Sequence, residues 1–457
     1  MSLNKAPENN VFYRNQNWYY PKIVYGKGVY LYGEDGKKYM DACSGSAVAN
    51  IGHGNEEVAE ATAEQIKKIA FTHLSRFTND AIEDCAETVA NWTPRDLNHV
   101  YFVSGGSEAT ETAIKLSRQY FVERDGKGTS KWKVISRWNS FHGNTMGSLS
   151  MTGSTGRRRI YDPLLINFPK IHQAYCYRCP YESSYPECNL QCAYELEETI
   201  LRWGPESIAA FIAEPVIGSA APGVNPPKEY FKVIREICNK YDVIMILDEV
   251  MAGCGRTGKN FGIDHYDVVP DIITMAKGMS SGYTPIGAAV TNNEIFETIM
   301  VKGSGQFIHG HTYGGNPLSA SISQTVMKII EREGYIENAR VQGEYLFEQM
   351  EELYKYPIVG EIRGKGLMIG IEFVKDQETK KPFDTDKNVK GIFTKHCLNE
   401  GIVPYPGGGS VDGIKGDHTL FAPPININRE EIEEFYEKLE NAIENTSKEV
   451  LGAKNVL

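Results

Sequence analysis

The stretch "HVYFVSGGSEATETAIKLSRQYFVE" (His99–Glu123) joins two different hydrophobic patterns. Its first five residues are mostly branched or aromatic, which is typical of a short buried strand. Two glycines and a serine follow, and the remainder has apolar residues at the three- and four-residue spacing of a helix. A strand that runs through a glycine turn into a helix is a building unit of helix-covered sheets, so this stretch predicts such a sheet.

Four further apolar runs repeat the strand pattern: "KVIS", "IAAFIA", "VIMIL" and "IITMA" (residues 133–136, 208–213, 243–247 and 272–276). The segment "PKEYFKVIREICNKY" has helical spacing and lies between the second and the third of these runs. Alternation of strands and helices predicts a mostly parallel sheet with helices on both faces. The predicted fold class is therefore α/β, with a large domain built on this sheet.

The two ends of the chain have a different texture. Residues 19–46 alternate apolar and polar residues around glycine turns, which predicts hairpins. Residues 359–374 predict another hairpin, and residues 428–450 have the pattern of an amphipathic helix. We expect a smaller α+β domain built from both chain ends. The predicted division is 1–65 as an N-terminal segment that packs with the small domain, 66–330 as the large domain and 331–457 as the small domain.

The composition narrows the class of protein. Of the 457 residues, 41% are hydrophobic and 23% are charged, as in ordinary globular enzymes. The net charge of −11 disfavours contact with polyanions, so neither nucleic acid nor an anionic membrane is expected as a partner. No apolar run has the length of a membrane span, and the polar N-terminus does not resemble a secretory signal. Nine cysteines, an odd number, fit free thiols in a reducing cytoplasm.

Polar side chains follow three of the predicted strands. Glu214 follows "IAAFIA", Asp248 follows "VIMIL" and Lys277 follows "IITMA". Taken alone, each is more simply interpreted as a capping or surface residue. Ligands of open α/β sheets bind beyond the carboxyl ends of the strands, so the shared placement favours one common crevice.

The turn after the first strand has the components of an anion site. Gly105 and Gly106 permit a close approach of the backbone, and Ser107 can cap the helix whose N–H groups face the anion. The alternative is an ordinary glycine turn with a serine cap. The segment matches neither the mononucleotide P-loop nor the dinucleotide glycine pattern.

Six segments in one order carry a resemblance: "SGGSEATETAIKLSR", "SFHGNTMGSLSMTG", "FIAEPVIG", "LDEVMAGCGRTGKNFG", "DIITMAKGMSSGYTPIGAAV" and "HGHTYGGNPLSA". Together they closely resemble the class-III (omega-type) aminotransferases, pyridoxal 5'-phosphate enzymes of fold type I. The resemblance runs from about Tyr20 to the last helix. It implies the cofactor pyridoxal 5'-phosphate and two catalytic residues, Lys277 and Asp248.

The resemblance also implies roles around the cofactor ring. Lys277 corresponds to the lysine that binds the cofactor aldehyde and later moves a proton. Its amine must be neutral, and burial lowers the pKa of a lysine. Asp248 corresponds to the aspartate that pairs with the pyridine nitrogen and keeps the ring protonated. Val250 and Phe141 correspond to the side chains that pack on the two ring faces.

Six further residues are implied at the edges of the cofactor. Gly105, Gly106 and Ser107 correspond to the phosphate loop, and Glu214 to an acidic residue at the mouth of the site. His142 either contacts the ring or orders the site, and both readings stay open. Thr312 corresponds to a threonine that reaches the phosphate in the neighbouring subunit, which implies a homodimer or a dimer of dimers. No metal is expected in the reaction.

One position departs from the family pattern. Many members carry an arginine before the "APP" segment, where it binds a substrate carboxylate, and Gly413 falls there in this chain. Lys415 is the nearest cation, and a lysine does not replace a bidentate arginine. Arg157, Arg158 and Arg159 are candidates for this role, although a run of three arginines is typically solvated.

Four cysteines lie close together in sequence: Cys176, Cys179, Cys188 and Cys192. Such spacing is compatible with a structural Zn²⁺ site, with free or redox-paired thiols, or with a loop that shapes the substrate entrance. The spacing lacks the longer separation common in zinc modules.

These observations lead to an expected reaction. An omega-amine or omega-amino acid gives its amino group to a 2-oxo acid, and pyruvate is the expected acceptor because of Gly413. Taurine, beta-alanine, γ-aminobutyrate and an acylated diamine are candidate donors. A racemase, a decarboxylase or an ammonia lyase of the same fold is the alternative, since the same residues would serve these reactions.

Overall fold

The computed structural model describes residues 6–452. Its strands, numbered in chain order, are β1 Ile23–Lys27, β2 Tyr30–Gly33, β3 Lys38–Met40, β4 His99–Val103, β5 Lys133–Arg137, β6 Lys170–Ile171, β7 Ile208–Ala213, β8 Ile244–Asp248, β9 Ile272–Met275, β10 Gly287–Thr291, β11 Val359–Lys365, β12 Met368–Phe373, β13 Tyr405–Gly408 and β14 Asp417–Phe421.

The α-helices are α1 Ser44–Ala47, α2 Glu56–Lys68, α3 Asp80–Trp92, α4 Gly106–Asp125, α5 Met146–Met151, α6 Thr155–Arg158, α7 Gln191–Trp203, α8 Tyr230–Tyr241, α9 Asn293–Met300, α10 Pro317–Arg332, α11 Tyr335–Met350, α12 Val389–Glu400 and α13 Arg429–Leu451. Among them, no helix of residues 6–452 has both the length and the apolar character needed to cross a bilayer.

A seven-stranded sheet in the order β4-β10-β9-β8-β7-β5-β6 forms the centre of the fold. All neighbouring pairs are parallel except the two that involve β10. Residues 276–286 join β9 to β10 with only a short 3-10 turn, which is less chain than a parallel crossover requires. The prediction of an α/β fold with a mostly parallel, helix-covered sheet is confirmed.

The strand β10 has no counterpart among the predicted strands. Its sequence, "GAAVT", contains one glycine and two alanines and lacks the branched run that marks the others. It is fully buried between β4 and β9, so its neighbours rather than its own propensity make it a strand.

Two antiparallel sheets flank the centre, β1-β2-β3 and β11-β12-β14-β13. The chain ends meet where Met40 pairs with Ile402 in a parallel bridge and Ala422 N–H donates to Ala42 O at 2.8 Å. The division at residues 65 and 330 remains a prediction, and both boundaries fall within helices, α2 and α10.

The register of the central strands determines which residues meet at the carboxyl edge. Ala213 pairs with Leu247, and Asp248 pairs with Thr274, so β7, β8 and β9 end side by side. All residues of these three strands are buried. The residues that follow these three strands therefore share one edge of the sheet, next to a buried core that excludes water.

Candidate active site

Lys277 lies two residues after the end of β9, at the start of a short 3-10 turn, with a left-handed φ of 45°. Its Nζ donates a hydrogen bond to the backbone carbonyl of Ser46 at 3.0 Å. Burial lowers the pKa of Lys277 to about 8, although the charges of Asp248 and Glu214 raise it. The neutral, nucleophilic form of this amine is therefore about a tenth of the total at pH 7, far more than for an ordinary lysine.

Asp248 is the last residue of β8 and is buried. Its Oδ2 lies 2.8 Å from His142 Nδ1, and its Oδ1 accepts the N–H of Val250 at 3.1 Å. His142 is also buried, and its Nε2 has no hydrogen-bond partner within the described part of the chain. The imidazole thus fixes the orientation of the Asp248 carboxylate.

The Gly105–Ser107 turn begins α4, a 20-residue helix whose first amides are free to face an anion. A Cβ at Gly106 would lie 2.8 Å from Val250 Cγ1, so only glycine permits this approach. Ser107 Oγ accepts the N–H of Asn144 at 3.1 Å, which ties the turn to the loop after Phe141.

Glu214 accepts hydrogen bonds from two separate backbone segments that border the site. Its Oε1 accepts the N–H of Phe141 at 2.9 Å, and its Oε2 accepts the N–H of Gly218 at 2.9 Å. Burial raises the pKa of Glu214, since no cationic side chain pairs with it among the described residues. Glu214 therefore positions the loop that carries Phe141.

Thr312 lies elsewhere. It is exposed in the loop beside the first turn of α4, where His311 Nδ1 is 3.5 Å from Glu108. Within residues 6–452, no hydrogen bond joins Thr312 to the residues around Lys277. The other nine predicted site residues gather at the carboxyl edge of the sheet, and Thr312 remains on the surface of the chain.

Two contributors to the site are absent from the sequence predictions. The Ser46 carbonyl is a backbone group, and the only signal for it is the preceding glycine, which has a φ of 67°. Arg256, from the "GRTG" segment, is fully buried, and burial lowers its pKa to about 9. Its guanidinium donates to Asn50 Oδ1 at 2.7 Å and to the Pro423 carbonyl, so it joins both chain ends to the site.

The arginine run is not uniformly solvated, which corrects that expectation. Arg159 is exposed, but Arg157 and Arg158 are half-buried. Arg158 Nε donates to Asp162 Oδ1 at 2.8 Å. The guanidinium carbon of Arg157 lies 4.2 Å from the centre of the Phe141 ring, inside the site.

Four loop cysteines line one small cavity of about 20 Å³: Cys176, Cys179, Cys188 and Cys192. All four are free thiols, and no group of three metal-ligating side chains converges anywhere in residues 6–452. Burial, followed by the neighbouring thiols, raises the pKa of Cys192 to about 12. Tyr177, in the same loop, packs with Phe141 against a small apolar cluster, so the loop borders the site.

The residues present fit pyridoxal phosphate. Lys277 offers an amine of lowered pKa, and Asp248 offers an oriented carboxylate. Gly105, the N-cap residue of α4, makes no side-chain capping hydrogen bond, which leaves the first amides of the helix available to a phosphate. The unpartnered His142 Nε2 is a further polar atom available to a ligand.

Comparison with known proteins gives the family of the chain. The family model described as "Aminotransferase class-III" matches residues 12–443. The chain is 40% identical over 417 residues to the uncharacterized aminotransferase YodT of Bacillus subtilis, covering 91% of this chain and 93% of that protein. It is 35% identical over 433 residues to a putrescine–pyruvate aminotransferase of Pseudomonas aeruginosa, covering 94% of this chain and 92% of that protein.

A solved structure agrees as well. The thermostable (S)-enantioselective omega-transaminase of Thermomicrobium roseum superposes with a TM-score of 0.89 at 35% identity, over 96% of both chains. The chain therefore belongs to the class-III aminotransferases and is a pyridoxal-phosphate-dependent transaminase of fold type I.

Proposed function

We propose that this enzyme moves an amino group from an omega-amine or omega-amino acid, such as taurine or beta-alanine, to a 2-oxo acid, with pyruvate preferred. The observation that carries this proposal is the packing at Gly413. A Cβ there would lie 2.5 Å from Thr155 Oγ1, and the φ of 84° disfavours any other residue. No arginine fits at this point, so a dicarboxylic acceptor such as 2-oxoglutarate lacks its second cation.

The names of two relatives support the same substrate class. One relative is called a putrescine–pyruvate aminotransferase, and one structural neighbour is called an omega-transaminase. A donor whose amino group is remote from any acid group, with pyruvate as acceptor, fits both names.

The proposed mechanism assigns a task to each side chain. When bound, pyridoxal phosphate supplies an aldehyde for the donor amine and a protonated ring that accepts electron density. Asp248, held by His142, keeps that ring protonated. The amides of Gly105–Ser107 and the N-terminus of α4 hold the phosphate. Phe141 and Val250 hold the ring between them, with the Phe141 backbone fixed by Glu214.

Lys277 performs the proton transfer. Its neutral Nζ takes a proton from the carbon that bears the donor's amino group and later gives a proton to the oxo-acid carbon that receives the amine. The pKa of about 8 suits both directions near neutral pH, because neither protonation state is strongly disfavoured. The Ser46 carbonyl keeps the side chain aimed at the site while it is free.

The test is a panel of amines assayed separately against pyruvate and 2-oxoglutarate. Taurine, beta-alanine, putrescine and 1-phenylethylamine cover donors with and without an acid group. Each donor alone should release one equivalent of aldehyde or ketone per site, whereas a racemase would release none. Full-rate turnover with 2-oxoglutarate and none with pyruvate would refute the acceptor proposal.

We also propose that the active unit is a homodimer, or a dimer of dimers, in which Thr312 reaches the cofactor phosphate of the partner subunit. Thr312 precedes the exposed side chain of Tyr313, and Phe71 and Leu74 are further exposed apolar side chains. The rings of Phe71 and Tyr313 lie 5.8 Å apart, which makes one continuous patch. Patches of this kind mark protein interfaces.

Mixed dimers test the position of Thr312. Thr312→Ala should weaken cofactor binding, and Lys277→Ala should be inactive. If Thr312 acts across the interface, the mixed dimer regains one intact site, because the Lys277→Ala subunit supplies its threonine to the partner. Mixing should therefore restore activity, and no restoration in proven mixed dimers would place Thr312 in its own subunit's site.

The cellular compartment of the enzyme is also a proposal. The nine cysteines are all free thiols. Free thiols in this number suit a reducing compartment, and we propose the cytoplasm.

A further inference from the structure

The amine of Lys277 is held by a backbone group. Its Nζ donates to the Ser46 carbonyl at 3.0 Å, and within residues 6–452 this is the only hydrogen bond of that amine. Ser46 belongs to the loop 41–53, which begins directly after β3 and ends at His53, where the backbone forms a bridge. The position of this loop therefore sets the direction in which the free amine points.

The backbone of the loop 41–53 is strained beside this carbonyl. Ser44, Gly45 and Ala47 have φ angles of 48°, 67° and 55°, in the left-handed region that L side chains rarely adopt. Lys277, on the other side of the hydrogen bond, has a φ of 45°. Such conformations cost free energy in residues other than glycine and persist only where the surrounding contacts hold them.

The buried carboxylate of Asp41 supplies such contacts. Its Oδ1 accepts the N–H of Gly45 at 2.8 Å, and its backbone carbonyl accepts the N–H of Ser44 at 3.1 Å. The thiol of Cys43 also lies 3.7 Å from Oδ1. The other oxygen, Oδ2, is 2.9 Å from Nε2 of His53. One side chain thus fixes the strained turn and joins the two ends of the loop.

The loop 41–53 also packs on the turn that carries Lys277. Ser281 Oγ accepts the N–H of Ile51 at 2.9 Å. A Cβ at Gly278 would collide with the side-chain amide of Asn50, so this part of the turn lies close against the loop. A shift of the loop therefore reaches the amine directly.

We infer that Asp41 is a positioning residue for Lys277 and acts through the Ser46 carbonyl; this inference rests on the proposed function of Lys277. The amine is free between taking a proton from the donor carbon and giving one to the oxo-acid carbon. During this interval the carbonyl keeps it aimed at the reacting carbon. A misplacement of about 1 Å can cost about 10²-fold in rate. Substrate binding does not depend on the direction of the amine, so the effect falls on kcat.

The experiment compares Asp41→Ala with Asp35→Ala in the holoenzyme. Asp35 is exposed and lies outside the loop 41–53, but its Oδ1 also accepts a backbone N–H, that of Lys37 at 3.0 Å. With pyruvate and the best donor of the panel, kcat of Asp41→Ala should fall about 10-fold to 10²-fold, while both KM values stay within about twofold of the wild type. Asp35→Ala should match the wild type.

An isotope effect shows whether the proton transfer itself is affected. Deuterium replaces hydrogen on the donor carbon that bears the amino group. It should slow Asp41→Ala by a larger factor than the wild type, because a misdirected amine makes proton transfer the slow step. A general loss of folded protein would lower the rate and leave this ratio unchanged.

Labelling of the apoprotein tests the inference without the reaction. Acetic anhydride acetylates neutral amines, and peptide mass analysis follows the acetylation of Lys277. In the wild type the amine must leave the Ser46 carbonyl before it reacts. In Asp41→Ala the carbonyl is no longer held in place, so Lys277 should be labelled about fivefold faster, the factor that one hydrogen bond contributes. Lys415, which is exposed, is the internal standard and should react equally in both proteins.

Two further variants separate positioning from stability. Glycine suits the φ of 55° at Ala47, so Ala47→Gly should unfold at a temperature close to that of the wild type. The peptide that carries the Ser46 carbonyl gains freedom, so kcat should still fall several-fold. Asp41→Asn keeps an acceptor for the N–H of Gly45 and should lie between Asp41→Ala and the wild type. If Asp41→Ala does not fold, Asp41→Asn and Ala47→Gly decide the question.

The outcomes distinguish this inference from the proposed function. A wild-type kcat in Asp41→Ala, or an unchanged rate of Lys277 acetylation, would overturn the inference alone. A loss of kcat accompanied by an equal rise in both KM values would also overturn it, because Asp41 would then act on the whole fold. Substantial turnover by Lys277→Ala would overturn the proposed function of the lysine, and acetylation in the apoprotein would still test its contact with Ser46.

Discussion

Two polar clusters lie inside this molecule, and they differ in how their charges are matched. The site cluster consists of Lys277, Asp248, His142 and Glu214. The paired network consists of Tyr175, Arg178, Glu361, Arg363 and Glu372, and joins the segment after β6 to the strands β11 and β12. Both clusters are largely buried, so burial alone does not distinguish them.

The two buried glutamates, Glu214 and Glu372, titrate in opposite directions. Glu372 accepts Tyr175 Oη at 2.5 Å and pairs with Arg178 and Arg363. Burial opposes its ionisation, but the two guanidinium charges outweigh burial and lower the pKa of Glu372. Within residues 6–452, Glu214 accepts hydrogen bonds only from backbone N–H groups, and burial raises its pKa.

Among the described residues, the site cluster lacks the guanidinium partners that the paired network provides for its carboxylates. In the paired network the guanidinium groups of Arg178 and Arg363 lower the pKa of Glu372, so this carboxylate stays ionised at neutral pH. In the site cluster Lys277 bonds a neutral carbonyl and keeps an accessible neutral form. Loss of a residue should therefore cost activity in one cluster and stability in the other.

The largest expected effect is that of Lys277→Ala. Activity should fall by about 10⁴-fold or more, at the upper end of what a positioned acid–base group contributes, since the cofactor also loses its anchor. Removal of a buried, partly desolvated amine should leave the melting temperature of the apoprotein unchanged or raised. Borohydride treatment followed by peptide mass analysis should find the cofactor on Lys277 in the wild type and nowhere in the variant.

Lys415→Ala is the matched control, because Lys415 is exposed. It should retain wild-type activity and the labelled Lys277 peptide. Substantial turnover by Lys277→Ala would remove the distinction between the two clusters.

The next effect is on stability. Glu372→Gln keeps the shape of the side chain but leaves Arg178 and Arg363 without its charge. Breaking a buried ion pair in this way costs about 3–5 kcal/mol. Urea unfolding of the holoenzyme should show this loss, while kcat per folded molecule stays close to that of the wild type. Glu361→Gln, in which the same charge is lost at a partly exposed position, should cost less.

An unfolding midpoint equal to the wild type, combined with a large loss of kcat, would contradict this assignment. It would mean that the paired network acts on the reaction through Tyr175 and the neighbouring cysteine loop.

Much of the fold and part of the site follow from local sequence. The strands β7, β8 and β9 are branched apolar runs, and Asp248 and Lys277, at or just after the ends of two of them, lie at one edge of the sheet because parallel strands end together. β10 escapes prediction because burial between two neighbours outweighs the low propensity of "GAAVT".

Other parts depend on contacts that no local pattern encodes. The Ser46 carbonyl is a backbone atom brought to Lys277 from 231 residues away. The three arginines of the run have identical side chains, and only the packing of α6 decides that Arg157 meets Phe141. The paired network joins residues about 200 apart, such as Tyr175 and Glu372, so its members have no common signal in the sequence.

The smallest expected effect concerns pH and the charge balance around Lys277. Its pKa is lowered to about 8 by burial, with Asp248 and Glu214 acting in the opposite sense. Cofactor loading of the apoenzyme requires the neutral amine, so the loading rate should rise with pH and level off above about 8, a change of about tenfold from pH 7. Between this value and the ordinary pKa of lysine, the unfolded chain binds more protons, so Lys277 should make the apoprotein more stable as pH rises.

Two variants connect this profile to the comparison. Asp248→Asn removes a charge that raises the pKa of Lys277, so its loading profile should shift to lower pH, whereas Glu372→Gln should leave the profile in place. Stopped-flow absorbance of cofactor binding measures both. A wild-type profile that is flat from pH 6.5 to 9.5, or equal shifts in the two variants, would mean that the site cluster does not tune Lys277. In that case both buried clusters would influence the pKa of Lys277 alike. The lowered pKa would then be a property of the whole protein interior and not of the site cluster.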